Sequence, residues 1–293
     1  MKYERIKGIG RIMRGLQMHR LNSVFSPKEF LRVTYTHQVL KEDAKNFESL
    51  ISFLVKARGT ITPEKFFKIL RREEPLAGRN VLVTFDDGLR SSYHAIKNIF
   101  FKYGVRAVMF VPTQILELKT SEDMKRFAWQ RLNFNEGQAP KTFREEEYLA
   151  MGKKEILDLQ KEGHAVFPHT HTHKRLMEIQ DEQTAIAEIV KPKKILQELL
   201  QSQMDAFAFP VGTERVVSDF CFPYLKREYR YCFSALAGKN TVETQPHFLH
   251  RDCMNADYDL DHVRNIEDGV FDAYYQYKIA RLKSRFGHHA QQS

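Results

Sequence analysis

The chain has 293 residues, 42% of them apolar and 28% charged, which is enough to bury a sizeable core and far from the composition of a disordered segment. Its 46 Lys and Arg outnumber its 37 Asp and Glu to leave +9, yet the basic residues are spread out and carry no aromatic-basic pattern. No nucleic-acid partner is therefore expected, and three cysteines without a CxxC pair exclude a disulfide framework and a thiolate zinc site.

The opening MKYERIKGIGRIMRG is basic but has no continuous apolar stretch, and nowhere do about eighteen apolar residues run together as a membrane span requires. A cytoplasmic protein is expected, with a basic amphipathic start able to rest on an anionic membrane surface. No obligate protein partner is evident.

The first helix is predicted over Asp43 to Lys56, where Phe47, Leu50, Ile51 and Leu54 repeat at helical spacing, and a second follows Pro63. Val81 to Phe85 reads as a short buried strand stopped by Asp-Asp-Gly. A helix over Tyr93 to Tyr103 ends at Gly104, and a strand over Val105 to Val111 ends at Pro112. The alternation continues with a helix over Glu155 to Glu162, a strand over His164 to Phe167, helices between Glu182 and Gln201 and a strand over Ala206 to Phe209. Pro192 should kink or divide its helical region, because it removes a backbone donor. Strands over Tyr231 to Ala235 and Phe248 to His250 and a helix over Val270 to Arg285 complete the pattern. Such alternation predicts an α/β fold with a parallel sheet, open or closed into a barrel, and chemistry at the C-terminal strand ends. One main domain over 1–265 and a basic helical tail over 266–293 are expected.

Three motifs fall directly after predicted strands. In TFDDG, Thr84 to Gly88, two adjacent carboxylates can divide two roles: one binds a metal, and its neighbour takes a proton from water beside it. PHTHTH, Pro168 to His173, gathers three of the twelve histidines. On a helix His169 and His173 would share a face, and in an extended segment all three would; either geometry permits a pair of ligands. Two histidines and one carboxylate leave coordination positions open, which suits catalysis more than a structural site. FAFPVG, Phe207 to Gly212, ends a strand in a turn whose backbone N–H could stabilise an oxyanion.

From about His19 to Asp259 the chain resembles the polysaccharide deacetylase family, also called the NodB-homology or carbohydrate esterase family four group. TFDDG and HTHTH in this order carry the resemblance, with FAFPVG as weaker support. The resemblance implies a distorted (β/α) barrel of seven or so strands, NodB-homology type, and one divalent metal, zinc first and Co2+ or Mn2+ as substitutes. It implies that Asp86 is the catalytic base and that Asp87, His169 and His173 hold the metal, with His171 a neighbour outside the ligand set. Pro210 and Val211 would contribute to the substrate and oxyanion site. QMHRL, Gln17 to Leu21, resembles the YHRV-like opening of poly-N-acetylglucosamine deacetylases, which would make His19 the acid that protonates the leaving amine.

The sequence also departs from the family pattern. Ala208 stands two positions before the proline of the third motif, where many members carry the arginine that orients the base; Arg251 is the candidate to supply that charge from another strand. Val211 stands where the family often has tyrosine. The implied activity is removal of an N-acetyl group from a sugar, a polysaccharide or a lipid-linked glycan. Two alternatives use the same residues: a hydrolase opening cyclic amides of the allantoin type, and a catalytically weakened carbohydrate-binding protein. A non-heme iron oxygenase also uses two histidines and a carboxylate, but leaves the second Asp unexplained.

Overall fold

The chain's structure is a computed structural model that describes residues 29–132, 144–212 and 217–286. Its first strand is one that the apolar pattern does not announce. Phe30–Thr36 (β1) carries Arg32 in its middle, and that arginine is fully buried, bonded to Asp252 at 2.8 Å and to both carboxylate oxygens of Asp272 at 2.9 and 2.8 Å. Partners distant in sequence thus make a charged residue compatible with a core strand.

The remaining strands are Arg79–Phe85 (β2), Ala107–Val111 (β3), Ala165–Pro168 (β4), Ala206–Ala208 (β5), Tyr231–Phe233 (β6) and Asp252–Cys253 (β7). They form a five-stranded sheet in the order β4-β3-β2-β1-β7 and a two-stranded sheet β5-β6, with every pairing parallel. Backbone bonds from Ser234 N to the Leu249 carbonyl (2.8 Å) and from Leu249 N to the Cys232 carbonyl (2.9 Å) tie β6 to the segment entering β7. On the other side, the His169 ring spans from the end of β4 to the Ala208 carbonyl of β5. The strands therefore succeed one another around a distorted α/β barrel, and the loops after them share one rim.

Two expectations change in detail. The strand expected over Phe248 to His250 is instead a 3₁₀ turn, Pro246–Phe248, because Pro246 starts it with a fixed φ; only Leu249 bridges to β6, and the strand itself comes later as β7. Pro192 does not break its helix. The segment runs through Glu182–Ala185, a π turn at Ile186–Val190 and Lys191–Leu200, the wider turn falling where the proline cannot donate to the carbonyl of Glu188.

The main core packs Phe47, Phe85 and Phe100 beneath one part of the sheet and Phe66, Phe110 and Phe233 beneath another. A second cluster of Phe207, Phe209, Phe222 and Phe248 receives Ile279, Leu282 and Phe286 from the helix Asp272–Phe286. Among the described residues no helix is long and apolar enough to cross a membrane, and all three cysteines are free thiols.

Candidate active site

The site is built where β2 and β4 end. Thr84 Oγ1 donates to the Thr34 carbonyl (2.9 Å), and the Asp86 amide donates to the Thr36 carbonyl (2.9 Å), so the β1–β2 register carries on to the first carboxylate. The chain then turns through two left-handed residues, Asp87 at φ 71° and Gly88 at φ 67°. A Cβ on Gly88 would stand 2.6 Å from Ile115 Cδ1 and 3.0 Å from Val111 Cγ1, so only glycine fits. This turn aims Asp86 and Asp87 at different partners.

Asp86 faces Arg251. The guanidinium gives two parallel bonds, Nη1 to Oδ1 at 2.7 Å and Nη2 to Oδ2 at 2.9 Å, and its Nε donates to the Ser234 carbonyl at 2.8 Å. The pair is buried, with the guanidinium 4.7 Å from the Tyr35 ring centroid and 5.3 Å from that of Phe110. Burial by itself would push the Asp86 carboxyl up, but the Arg251 charge and its hydrogen bonds outweigh it and hold the carboxyl below its ordinary value. Asp86 is therefore kept as an oriented carboxylate.

Asp87 faces the histidines. His169 follows β4, its amide bonded to the Val111 carbonyl at 2.9 Å; its Nδ1 lies 2.8 Å from the Ala208 carbonyl, and His173 Nδ1 lies 2.6 Å from the Arg131 carbonyl. A carbonyl oxygen can only accept, so both Nδ1 atoms carry hydrogens and each neutral ring directs an Nε2 lone pair inward. Those Nε2 atoms stand 3.8 Å (His169) and 3.3 Å (His173) from Asp87 Oδ1, which is buried without a hydrogen-bond donor. Three acceptors that converge with no donor among them fit a cation, and these ligand atoms all lie within 4.8 Å of one another. Burial pushes the His169 imidazole down to about 3 and the His173 imidazole down to about 4, which keeps both in the neutral form that binds metal. Burial also raises the Asp87 carboxyl to about 7, so a cation there would displace a proton.

His171 points away from this cluster. Its ring lies between Thr113 Oγ1 (2.9 Å from Nδ1) and Lys191 Nζ (2.8 Å from Nε2). Pro210 is buried, while Val211 is 40% exposed and holds φ at 54°, leaving the barrel wall where Gly212 presses against Ala235. His19 lies outside the described residues.

One histidine outside the three motifs stands at the same strand ends. His37 follows β1, its ring edge-on to Tyr35 at 5.5 Å between centroids and its carbonyl accepting from Ser92 Oγ at 2.9 Å. The residue before it, Thr36, accepts from the Asp86 amide at 2.9 Å, which places His37 beside the first carboxylate. The signal was the alternating VTYTH, Val33 to His37, hidden because Arg32 interrupts the apolar run.

A carboxylate clamped by arginine, one residue from a cluster able to hold a cation, is the arrangement of a hydrolase that activates water. The chain belongs to the polysaccharide deacetylase family, whose profile matches residues 73–219. It is accordingly a hydrolase of the carbon–nitrogen bond of N-acetyl groups. No curated protein sequence is significantly similar to it. Among solved structures, the Streptococcus pyogenes deacetylase PplD in complex with acetate is similar with a TM-score of 0.62 at 17% identity, over 82% of this chain and 99% of that one. IcaB from Ammonifex degensii is similar with a TM-score of 0.60 at 18% identity, over 83% and 97%. A de-N-acetylase from Aggregatibacter actinomycetemcomitans is similar with a TM-score of 0.59 at 12% identity, over 81% and 98%. At these identities the shared property is the fold.

Proposed function

We propose that the chain removes N-acetyl groups from a sugar, a polysaccharide or a lipid-linked glycan, with Asp86 as base and one divalent cation, zinc first, held by Asp87, His169 and His173. The observation that carries this reading is the Arg251–Asp86 pair standing next to the convergent acceptors of the three ligands. A cation bound there supplies Lewis acidity toward water and the acetyl carbonyl.

The protein's own groups do the rest. Asp86, fixed by Arg251, accepts the proton of the attacking water. The Val211 N–H is assigned to the oxyanion that develops on the acetyl oxygen, with Pro210 shaping the turn that presents it. The leaving amine needs a proton as the carbon–nitrogen bond breaks. The sequence motif assigns that role to His19; the position of His37 directly after Thr36, whose carbonyl accepts from the Asp86 amide, favours His37. Acetate and a free amino sugar are the products. A cytoplasmic setting on a lipid- or nucleotide-linked precursor belongs to the same proposal, supported by the net charge of +9.

The test is mass spectrometry of acetylated glycans incubated with zinc-loaded protein, looking for loss of one acetyl mass and release of acetate. Ring opening of allantoin without deacetylation would replace this reading with the cyclic-amide one.

A further inference from the structure

The loop that carries both histidine ligands is held from below by a single buried carboxylate. Glu188 lies in the π turn Ile186–Val190, only 4% exposed. Its Oε2 accepts from the His171 amide at 3.0 Å and from the Thr172 amide at 2.9 Å, and its Oε1 accepts from Thr172 Oγ1 at 2.7 Å. These bonds fall on the two residues nearest His173 within the span from His169 to His173.

That span needs holding. Thr170 and His173 both sit in the left-handed region, at φ 62° and 59°, where a residue with a Cβ is disfavoured by roughly 1–2 kcal/mol. The Gln114 amide, which donates to the His171 carbonyl at 2.9 Å, restrains the loop from the side of β3, and Glu188 restrains it from the opposite helix. Bonds from a carboxylate to backbone N–H groups are shorter and stronger than neutral ones. The π turn adds a residue to the helical register, and such turns recur at functional sites. Here it delivers Glu188 to the loop.

We infer that Glu188 is a positioning residue for the cation site: its carboxylate fixes the backbone between the two histidine ligands, so that both Nε2 atoms converge on Asp87. The inference rests on the metal-binding role given to Asp87, His169 and His173 above. It assigns to the helix Glu182–Leu200 a function that its sequence, read as an amphipathic segment, does not disclose.

The test measures zinc affinity by chelator competition, together with the thermal midpoint of the metal-free protein and the zinc dependence of deacetylation. Glu188→Ala should bind zinc 10- to 100-fold more weakly, the range seen when outer partners of metal ligands are lost. Its activity at saturating zinc should return to within a few-fold of the original, because the defect is in holding the ligands. Glu188→Gln, whose amide oxygen can accept from both backbone amides while its NH2 donates to Thr172 Oγ1, should stay within about threefold. Thr172→Val removes one bond and leaves the fold, so it should weaken zinc by a few-fold even if Glu188→Ala does not fold. A residue that merely stabilises the fold would lower the midpoint with zinc affinity unchanged. If Glu188→Ala, or Thr172→Val in its place, binds zinc as the unaltered protein does, the inference is overturned. If the unaltered protein binds no zinc, the metal reading fails first and takes this inference with it.

Discussion

Arg251 holds Asp86 by two parallel hydrogen bonds of 2.7 and 2.9 Å, although the two are 165 positions apart in sequence. The third motif has Ala208 where an orienting arginine is common in the family, and the barrel lets the residue just before β7 reach the same carboxylate. Replacing Arg251 with Met should leave a buried carboxylate without its counter-charge, lowering stability by about 3–5 kcal/mol and deacetylation by at least about 100-fold. Arg251→Lys keeps the charge but loses the fork, and should fall between. Urea unfolding and acetate release measure the two effects; near-normal turnover in Arg251→Met would remove Arg251 from the site.

The adjacent carboxylates should separate cleanly. Asp86→Asn is expected to keep zinc within a few-fold and to lose turnover by about 10²–10⁴, the usual scale for a general base. Asp87→Ala should lose the metal itself. Metal analysis of the purified variants, run beside acetate release, distinguishes them, and a zinc-replete Asp87→Ala would contradict the ligand assignment.

The acid is decided by two variants and two substrates. His37→Ala should slow amide hydrolysis by about 10²-fold or more, while an activated acetate ester, whose leaving group departs without a proton, should be hydrolysed at nearly the original rate. His19→Ala should be the milder of the two on the amide. The reverse ranking would return the role to His19.

Gly88→Ala tests the turn that separates Asp86 from Asp87. Its methyl group would overlap Ile115 and Val111 at a residue whose φ is 67°, a combination expected to cost about 2–4 kcal/mol. Because relief requires the turn to move, zinc affinity should fall together with stability. Denaturant midpoints unchanged from the original would show that the segment relaxes freely.

A buried histidine away from the site sets part of the acid sensitivity. His164 is buried, its Nδ1 accepting from the Ala107 amide at 3.0 Å, and burial followed by the nearby Arg106 charge pushes its imidazole down from 6.5 to about 4. The unfolded chain takes up a proton below pH 6.5 while the folded chain refuses it until about 4. Its contribution is thus intact above pH 6.5 and drains away as pH falls toward 4, by up to about 3 kcal/mol. His164→Gln should lose that part of the slope. Parallel stability curves for the two proteins between pH 7 and 4 would refute it.

Sequence by itself determined the α/β alternation, the ends of the strands before Asp86 and His169, and the candidacy of Asp86, Asp87, His169 and His173, because these depend on local pattern: apolar runs ended by Asp-Asp-Gly or by a histidine cluster. It could not show β1, since Arg32 looks like a surface residue until Asp252 and Asp272 are brought to it. Nor could it decide which way three closely spaced histidines face. Positive φ at Thr170 and His173 and the carbonyls of Ala208 and Arg131 turn two of them inward, while Thr113 and Lys191 hold His171 outward. The motif residues are neighbours along the chain and so are legible there. Arg251, His37 and Glu188 come to the site only when parallel strands and a π turn close the distance, and pairing across a barrel leaves no local mark on the sequence.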